Sequence, residues 1–244
     1  MTPFRIIDDD HPALEDSLIL RAARLLLAYI DDNGPIGLTP SKALKRYFVE
    51  WAAEAFEWPG YTTEDLYAIN RVLNEQDFPP LMVLHEVMLS AKLVRHYKGT
   101  LRATKLAQDL KAHPARLWAL LANHLLFAIN WSDWTRTDEG LLGNWDIFLN
   151  VINVEARVPL ARSRLISVLY GDGDRRDPFA HTRLGSLFYV QVLRPLCWAG
   201  LLEKIDAGAG ATKDDCFVKT PLWQAALRLD TDAPDIPKPA NDDG

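Results

Sequence analysis

Lys92-Leu93-Val94-Arg95-His96-Tyr97, then Lys98-Gly99, then Thr100-Leu101-Arg102-Ala103-Thr104: this stretch decides how the chain is read. Apolar and polar residues alternate on both sides of Lys98-Gly99, as they do in a half-buried ribbon closed by a tight turn. A helical pattern over 80–91 leads into it, opened by Pro79-Pro80, and a second short helix follows from Lys105. Thr104 suits both the end of the returning strand and the cap of that helix.

The pattern comes back. A helix over 179–198 leads into Gly200-Leu201-Leu202-Glu203-Lys204-Ile205, a Gly-rich turn follows over 207–215, and Cys216-Phe217-Val218-Lys219-Thr220 returns before Pro221. The outgoing strands stand 108 residues apart (Ala91 to Ala199) and the returning ones 116 (Thr104 to Thr220), because the second turn is longer. An internal repeat is read before anything else in a sequence, since it fixes the architecture.

A helix followed by a short antiparallel hairpin, after earlier helices, resembles the winged-helix arrangement. The expected fold is therefore mainly α, with two winged-helix-like units, each with a small β-hairpin, joined by a helical linker. The boundaries read as an acidic, loosely held leader over 1–14, a first unit over 15–112, a linker over 113–139, a second unit over 140–230 and a disordered acidic tail over 231–244. Gly37-Leu38-Thr39 before a helix, with the later 93–104 hairpin, is also similar to a helical region of bacterial plasmid-borne and insertion-element passenger proteins. That resemblance covers about 18–110. It implies a bacterial, mobile-element context and carries no activity.

Other helices announce themselves by caps. Ser17 precedes a run over 17–30 in which Leu18, Ala22, Leu25, Leu26 and Tyr29 share a face, and Asn33-Gly34 ends it. Thr39-Pro40 predicts a helix to 56, Thr62 with Asp65 a helix to 74, and His113-Pro114 the first of two long helices over 115–156. A helix over 160–170 closes at Gly171, and Asp177-Pro178 and Thr220-Pro221 read as further starts.

Charge points to the first hairpin. The chain of 244 residues carries a net charge of −6, with 48% hydrophobic and 25% charged residues. The excess of acid lies at the ends, with seven acids against three arginines over 1–34 and five against Lys238 in the last sixteen residues, and leaves +2 on 35–228. Between Val87 and Gln108 there is no acid, while Lys92, Arg95, Lys98, Arg102 and Lys105 are all positive. Such a hairpin is suited to the phosphate backbone of duplex DNA. Arg183, on the second unit's helix, is a further candidate contact. The helix before the first hairpin offers only His85 and Glu86 as prominent polar groups, few for reading base edges. The second hairpin mixes acids and lysines. The expectation is a non-enzymatic DNA-binding or transcription-regulatory accessory protein. The alternative is a protein-interaction or dimerisation scaffold, with Trp131 and Trp134 of the central tryptophan-rich stretch as its surface.

Catalytic signatures are missing: no Walker loop, Gly-x-Gly-x-x-Gly, His-Glu-x-x-His or Gly-x-Ser-x-Gly occurs. The six histidines fall outside ligand spacing, so neither metal nor cofactor is expected. Cys197 and Cys216 form no Cys-x-x-Cys pair, and the acidic start lacks the pattern of a signal peptide. A cytoplasmic protein with no membrane partner is expected.

Overall fold

The computed structural model describes residues 3–135, 140–172, 180–205 and 214–232. The first unit runs α1 (Leu18–Asn33), β1 (Ile36–Gly37), α2 (Arg46–Phe56), α3 (Thr63–Ile69), α4 (Pro79–Ser90), β2 (Val94–Tyr97), β3 (Thr100–Ala103) and α5 (Lys105–Leu110). Next, α6 (Pro114–Phe127) leads to a 3-10 turn, Trp131–Trp134. The second unit runs α7 (Trp145–Glu155), β4 (Leu160–Ala161), α8 (Arg162–Tyr170), α9 (Ala180–Phe188), α10 (Arg194–Trp198), β5 (Leu202–Ile205), β6 (Cys216–Lys219) and α11 (Pro221–Ala226). The chain is mainly helical, with one small three-stranded antiparallel sheet in each unit, ordered β1-β3-β2 and β4-β6-β5. Among the described residues no helix is long and apolar enough to cross a membrane.

The repeat holds at the level of single hydrogen bonds. Leu93 N–H donates to Met88 O and Leu201 N–H to Leu196 O, each closing the helix before the hairpin. Lys92 and Gly200 take the same left-handed conformation just before these residues, at φ 57 and 82. Thr104 Oγ1 donates to Lys92 O at 2.8 Å, and Thr220 Oγ1 to Gly200 O at 2.6 Å. The hydroxyl after the returning strand thus ties the hairpin base to the end of the preceding helix. The third strand of each sheet, with Ile36 opposite Leu101 and Leu160 opposite Phe217, goes beyond the sequence reading. Two residues are too few to show an alternating pattern.

The caps at Ser17, Thr62 and Thr104 fall where expected, Thr62 with Asp65 makes a full capping box, and α11 starts at Pro221 without a side-chain cap from Thr220. Two expectations need correction. The helix at Thr39-Pro40 starts only at Arg46: Thr39 N–H donates to Ala43 O, Lys42 turns left-handed at φ 67, and Leu38 pairs with Leu44. Strand-like pairing of this loop overrides the proline cap. The helix begun at Thr63 ends at Ile69, well before 74. The Asp177-Pro178 start, Asp174, Arg175, Arg176, most of the second turn and the tail beyond 232 lie outside the described residues.

The leader is held, not loose. Phe4 packs edge-on against Trp118 at 5.3 Å and pairs with Leu227, and Arg5 N–H donates to Ala226 O at 2.7 Å. Asp9 supplies the cap that His113 does not give to α6: its Oδ1 accepts from Ala115 N–H at 3.0 Å and its Oδ2 meets His113 Nδ1 at 2.9 Å. Three unpaired amides at a helix start favour such an acceptor. The hydrogen bond from His113 holds the Asp9 carboxyl below its ordinary value.

The units share one continuous apolar core. Trp118 of α6 is fully buried and donates its Nε1–H to Ala199 O at 2.8 Å. Trp58 and Trp198 meet edge to face at 5.3 Å. A Cβ on Gly200 would lie 2.6 Å from Ser17 Cα, so the backbone of one unit touches the backbone at the other's first helix.

Candidate nucleic-acid interface

The β2–β3 register sorts the basic hairpin into two faces. Val94, His96, Leu101 and Ala103 turn inward, and Val94 and Leu101 are buried. Arg95, Tyr97, Thr100 and Arg102 share the other face, with Arg95 directly opposite Arg102 and Tyr97 opposite Thr100. Lys98 and Gly99 both take positive φ, 46 and 71, in the tight turn beyond.

Three cations gather on one ring. The Arg95, Lys98 and Arg102 charges lie 5.7, 5.4 and 5.0 Å from the Tyr97 ring centre, within cation–π range. Like charges directly opposite in a sheet destabilise it. No ion pair among the described residues relieves them: Lys92, Arg95, Lys98, Arg102 and Lys105 are absent from every such pair there. The only anchor given to Arg102 is Thr100 Oγ1, which accepts from its Nε–H at 3.2 Å. Lys92 and Lys105 are exposed at the base of the hairpin.

Beneath the ribbon a buried relay ties it to α4. Leu44 N–H donates to Glu75 Oε2, Glu75 Oε1 meets His85 Nδ1 at 2.6 Å, and His85 Nε2 meets His96 Nε2 at 3.0 Å. His85, read from sequence as a polar helix position, is 7% exposed and is a bridge instead. With the His85 proton on Nδ1, Glu75 accepts from it, and His85 Nε2 accepts from His96 Nε2–H. Burial, then the neighbouring His85 and Lys42 charges, holds His96 below its ordinary value. The relay fixes the inward side of β2 and so the outward side as well.

Sequence reasoning missed a second basic group beside the hairpin. Leu38 N–H donates to Gly99 O at the hairpin tip, which sets the 38–45 loop against it. Lys42, Lys45 and Arg46 are exposed there, lining an open cleft of about 870 Å³ with Met82, His85 and Glu86. The Lys45 stem crosses Gly37 so closely that a Cβ there would meet it at 2.9 Å. The signal was available as Lys42-Ala-Leu-Lys45-Arg46, but the misplaced helix start concealed it. On α4 only Glu86 and Ser90 are exposed, with Met82 and Leu89 half-buried, so this helix presents no base-reading side chain.

The second unit differs. Lys204 pairs with Asp215 at 2.6 Å, Arg162 of α8 with the same carboxylate at 3.0 Å, and Lys219 donates to Asn153, so the described hairpin lysines are engaged internally. The face of α10 that corresponds to Glu86 and Leu89 carries Arg194 and Cys197. It lines a cavity closed partly by Trp58 and Tyr61 of the first unit. Arg183 is exposed on α9. Trp131 is withdrawn as a partner surface: it is 4% exposed, donates to Leu125 O at 2.8 Å and packs on Trp198, so its own chain covers it. Trp134 is half-buried against it, 6.0 Å between ring centres.

Among the described residues no group of three or more His, Cys, Asp or Glu is placed to hold a metal. Asp31 pairs with Lys111 and Asp9 caps α6, which accounts for two of the acidic clusters. The two cysteines are free.

Comparison with known proteins agrees in dividing the chain in two. Residues 15–116 match the family model described as the Y4jL N-terminal domain, and residues 135–221 match that of the y4jL C-terminal domain. The uncharacterized protein y4jL of Sinorhizobium fredii is 34% identical over 163 residues, which is 66% of this chain and 74% of that protein. No solved structure matches. With both domain models met in order and a relative aligned across most of its own length, the chain belongs to the y4jL family.

Proposed function

We propose that this chain is a non-enzymatic tandem winged-helix protein that binds duplex DNA through the first hairpin, as an accessory to transcription or a related DNA transaction. The reading of the fold rests on element order: helix, short strand, helix, further helix, then a hairpin whose returning strand lies in the middle of the sheet, in both units. The reading of function rests on the three cations held on Tyr97 with no carboxylate among the described residues to neutralise them. Side chains kept apart from internal partners against mutual repulsion are suited to an external polyanion.

The contact is to phosphate, not to bases. The outward face of α4 has Glu86, which a phosphate repels, and lacks Arg, Lys, Asn or Gln. Lys42, Lys45 and Arg46 extend the positive surface from the hairpin toward the start of α2. The second unit serves as support, since Lys204 and Lys219 of its hairpin are already engaged within the chain. Affinity is therefore expected to depend steeply on salt and little on sequence.

The test is anisotropy of a labelled duplex titrated with protein from about 50 to 200 mM salt. Each neutralised phosphate adds about 0.9 to the slope of log affinity against log salt. The triple variant Arg95→Gln, Lys98→Gln, Arg102→Gln is expected to lower that slope by about 2.7. No binding at low salt, or an unchanged slope in the variant, overturns the proposal.

A further inference from the structure

A cavity of about 750 Å³ lies where the two units meet, apart from the basic hairpin. Its walls include Trp58 and Tyr61 from the first unit and Tyr189, Arg194, Cys197 and Trp198 from the second. Four aromatic rings thus face one guanidinium. Arg194 lies beside both Trp131 and Trp198, which touch each other, its charge 5.3 and 5.0 Å from their ring centres. Its Nε and Nη2 are buried and donate to nothing, and the Nε1–H of Trp58, a residue 1% exposed, is likewise unmatched. No carboxylate answers this charge among the described residues; the phenols of Tyr61 and Tyr189 are its polar neighbours. Burial holds the guanidinium below its ordinary value. Asp16, Glu203 and Lys204 line the cavity as exposed residues, and Lys204 is engaged with Asp215.

The backbone is shaped for this. Pro195 cannot donate a helical hydrogen bond, and its ring crowds the preceding turn. The helix answers with a π turn, Tyr189–Leu193, in which Arg194 N–H reaches back to Tyr189 O. Such a bulge rotates the side chains around it, and bulges of this kind recur at functional sites. Here it places Tyr189 and Arg194 on the same cavity.

We propose that this cavity is a binding site for a small aromatic carboxylate, whose flat body lies among the tryptophan and tyrosine rings and whose carboxylate accepts from Arg194. A planar guanidinium matches a carboxylate in shape and charge. The volume falls in the range of small-ligand pockets, which are mostly apolar with a few convergent polar groups. Cys197, its thiol pushed up to about 12 by burial, contributes surface and no nucleophile. Because the walls come from both units, a bound ligand stiffens their junction.

The probe is 2-naphthoate, with 2-naphthamide as the uncharged partner of the same shape, read by tryptophan fluorescence of the full chain. The naphthoate is expected to bind at least about tenfold more tightly than the amide, corresponding to about 1.4 kcal/mol. Arg194→Met is expected to abolish that preference and leave amide binding in place. Tyr61→Leu, which keeps an apolar wall but removes the phenol beside the guanidinium, is expected to shrink it, and Lys98→Gln on the hairpin to leave it unchanged. If Arg194→Met does not fold, the ratio in the parent and in Tyr61→Leu decides. Equal affinity for acid and amide in the parent, or no binding of either at millimolar concentration, overturns the proposal.

Discussion

Replacing Gly200 with alanine tests whether the two units are locked backbone to backbone. Gly200 stands at φ 82, where an alanine is strained by about 1–2 kcal/mol. That cost alone is tolerable, since the equivalent position in the first unit carries Lys92 at φ 57. The second cost is contact. The new methyl would lie 2.6 Å from Ser17 Cα and 2.7 Å from the Asp16 carbonyl, about 1 Å inside normal carbon contact. Ser17 is not free to retreat: it is 1% exposed, and its hydroxyl caps α1 through Leu20 N–H. Overpacking of this sort adds about 1–3 kcal/mol. Gly99→Ala is the internal control, left-handed at φ 71 with nothing within 4 Å of the added methyl. Gly200→Ala should therefore be less stable than Gly99→Ala by about 1–3 kcal/mol in urea unfolding, and should melt roughly 2–12 °C lower. Equal destabilisation of the two variants, to within about 0.5 kcal/mol, would refute the docking of Gly200 against the start of α1.

Two further outcomes follow from buried polar groups. Asn153 accepts from Trp223 Nε1–H at 3.0 Å and from Lys219 Nζ at 3.1 Å, and donates to Thr231 and Asp232, so Asn153→Ala should cost about 2–4 kcal/mol in urea unfolding. His96 and His124 are both held below the ordinary 6.5, burial being the largest cause in each. The unfolded chain then binds protons more readily than the folded one between those folded values and 6.5. Stability is full above 6.5 and declines as pH falls below it, and His96→Gln with His124→Gln should flatten that decline in a pH series of urea midpoints.

The repeat was legible because hairpins carry their pattern locally: Arg95 to Arg102 alternates, and Thr104 caps the helix that follows it. The two-residue strands at Ile36 and Leu160 were not legible, since their only signal is pairing with residues more than fifty positions away. The misplaced helix start at Thr39 has the same origin. A threonine–proline pair is a sound local cap, and a distant carboxylate, Glu75, holding Leu44 N–H outweighs it. The leader's acids read as solvated charge because the amides that Asp9 caps lie more than a hundred residues along. At the candidate site the cations were legible as a run without acids. Their convergence on Tyr97 needed the strand register, and the aromatic cavity needed both units in place.

Arg194 closes the case because stability alone does not explain it. A guanidinium desolvated beside two tryptophans, without a carboxylate among the described residues, gains cation–π attraction of about 2 kcal/mol or more. Against this stands the desolvation of the ion and of two donors left unmatched. Replacing buried ionic groups by apolar residues of similar volume is often neutral or stabilising by about 1–4 kcal/mol. Methionine is flexible and packs well against aromatic rings, so it fits the same slot. Arg194→Met should therefore unfold, without ligand, at a urea concentration equal to or above that of the parent. A loss of more than about 1 kcal/mol would mean that Arg194 is a structural strut whose unmatched donors find partners within the fold. An equal or higher midpoint would leave a residue that the fold does not need, at the junction of two units, beside a cavity walled by aromatic rings. Groups held at the expense of stability mark function, and here the chemistry they mark is recognition of an anion.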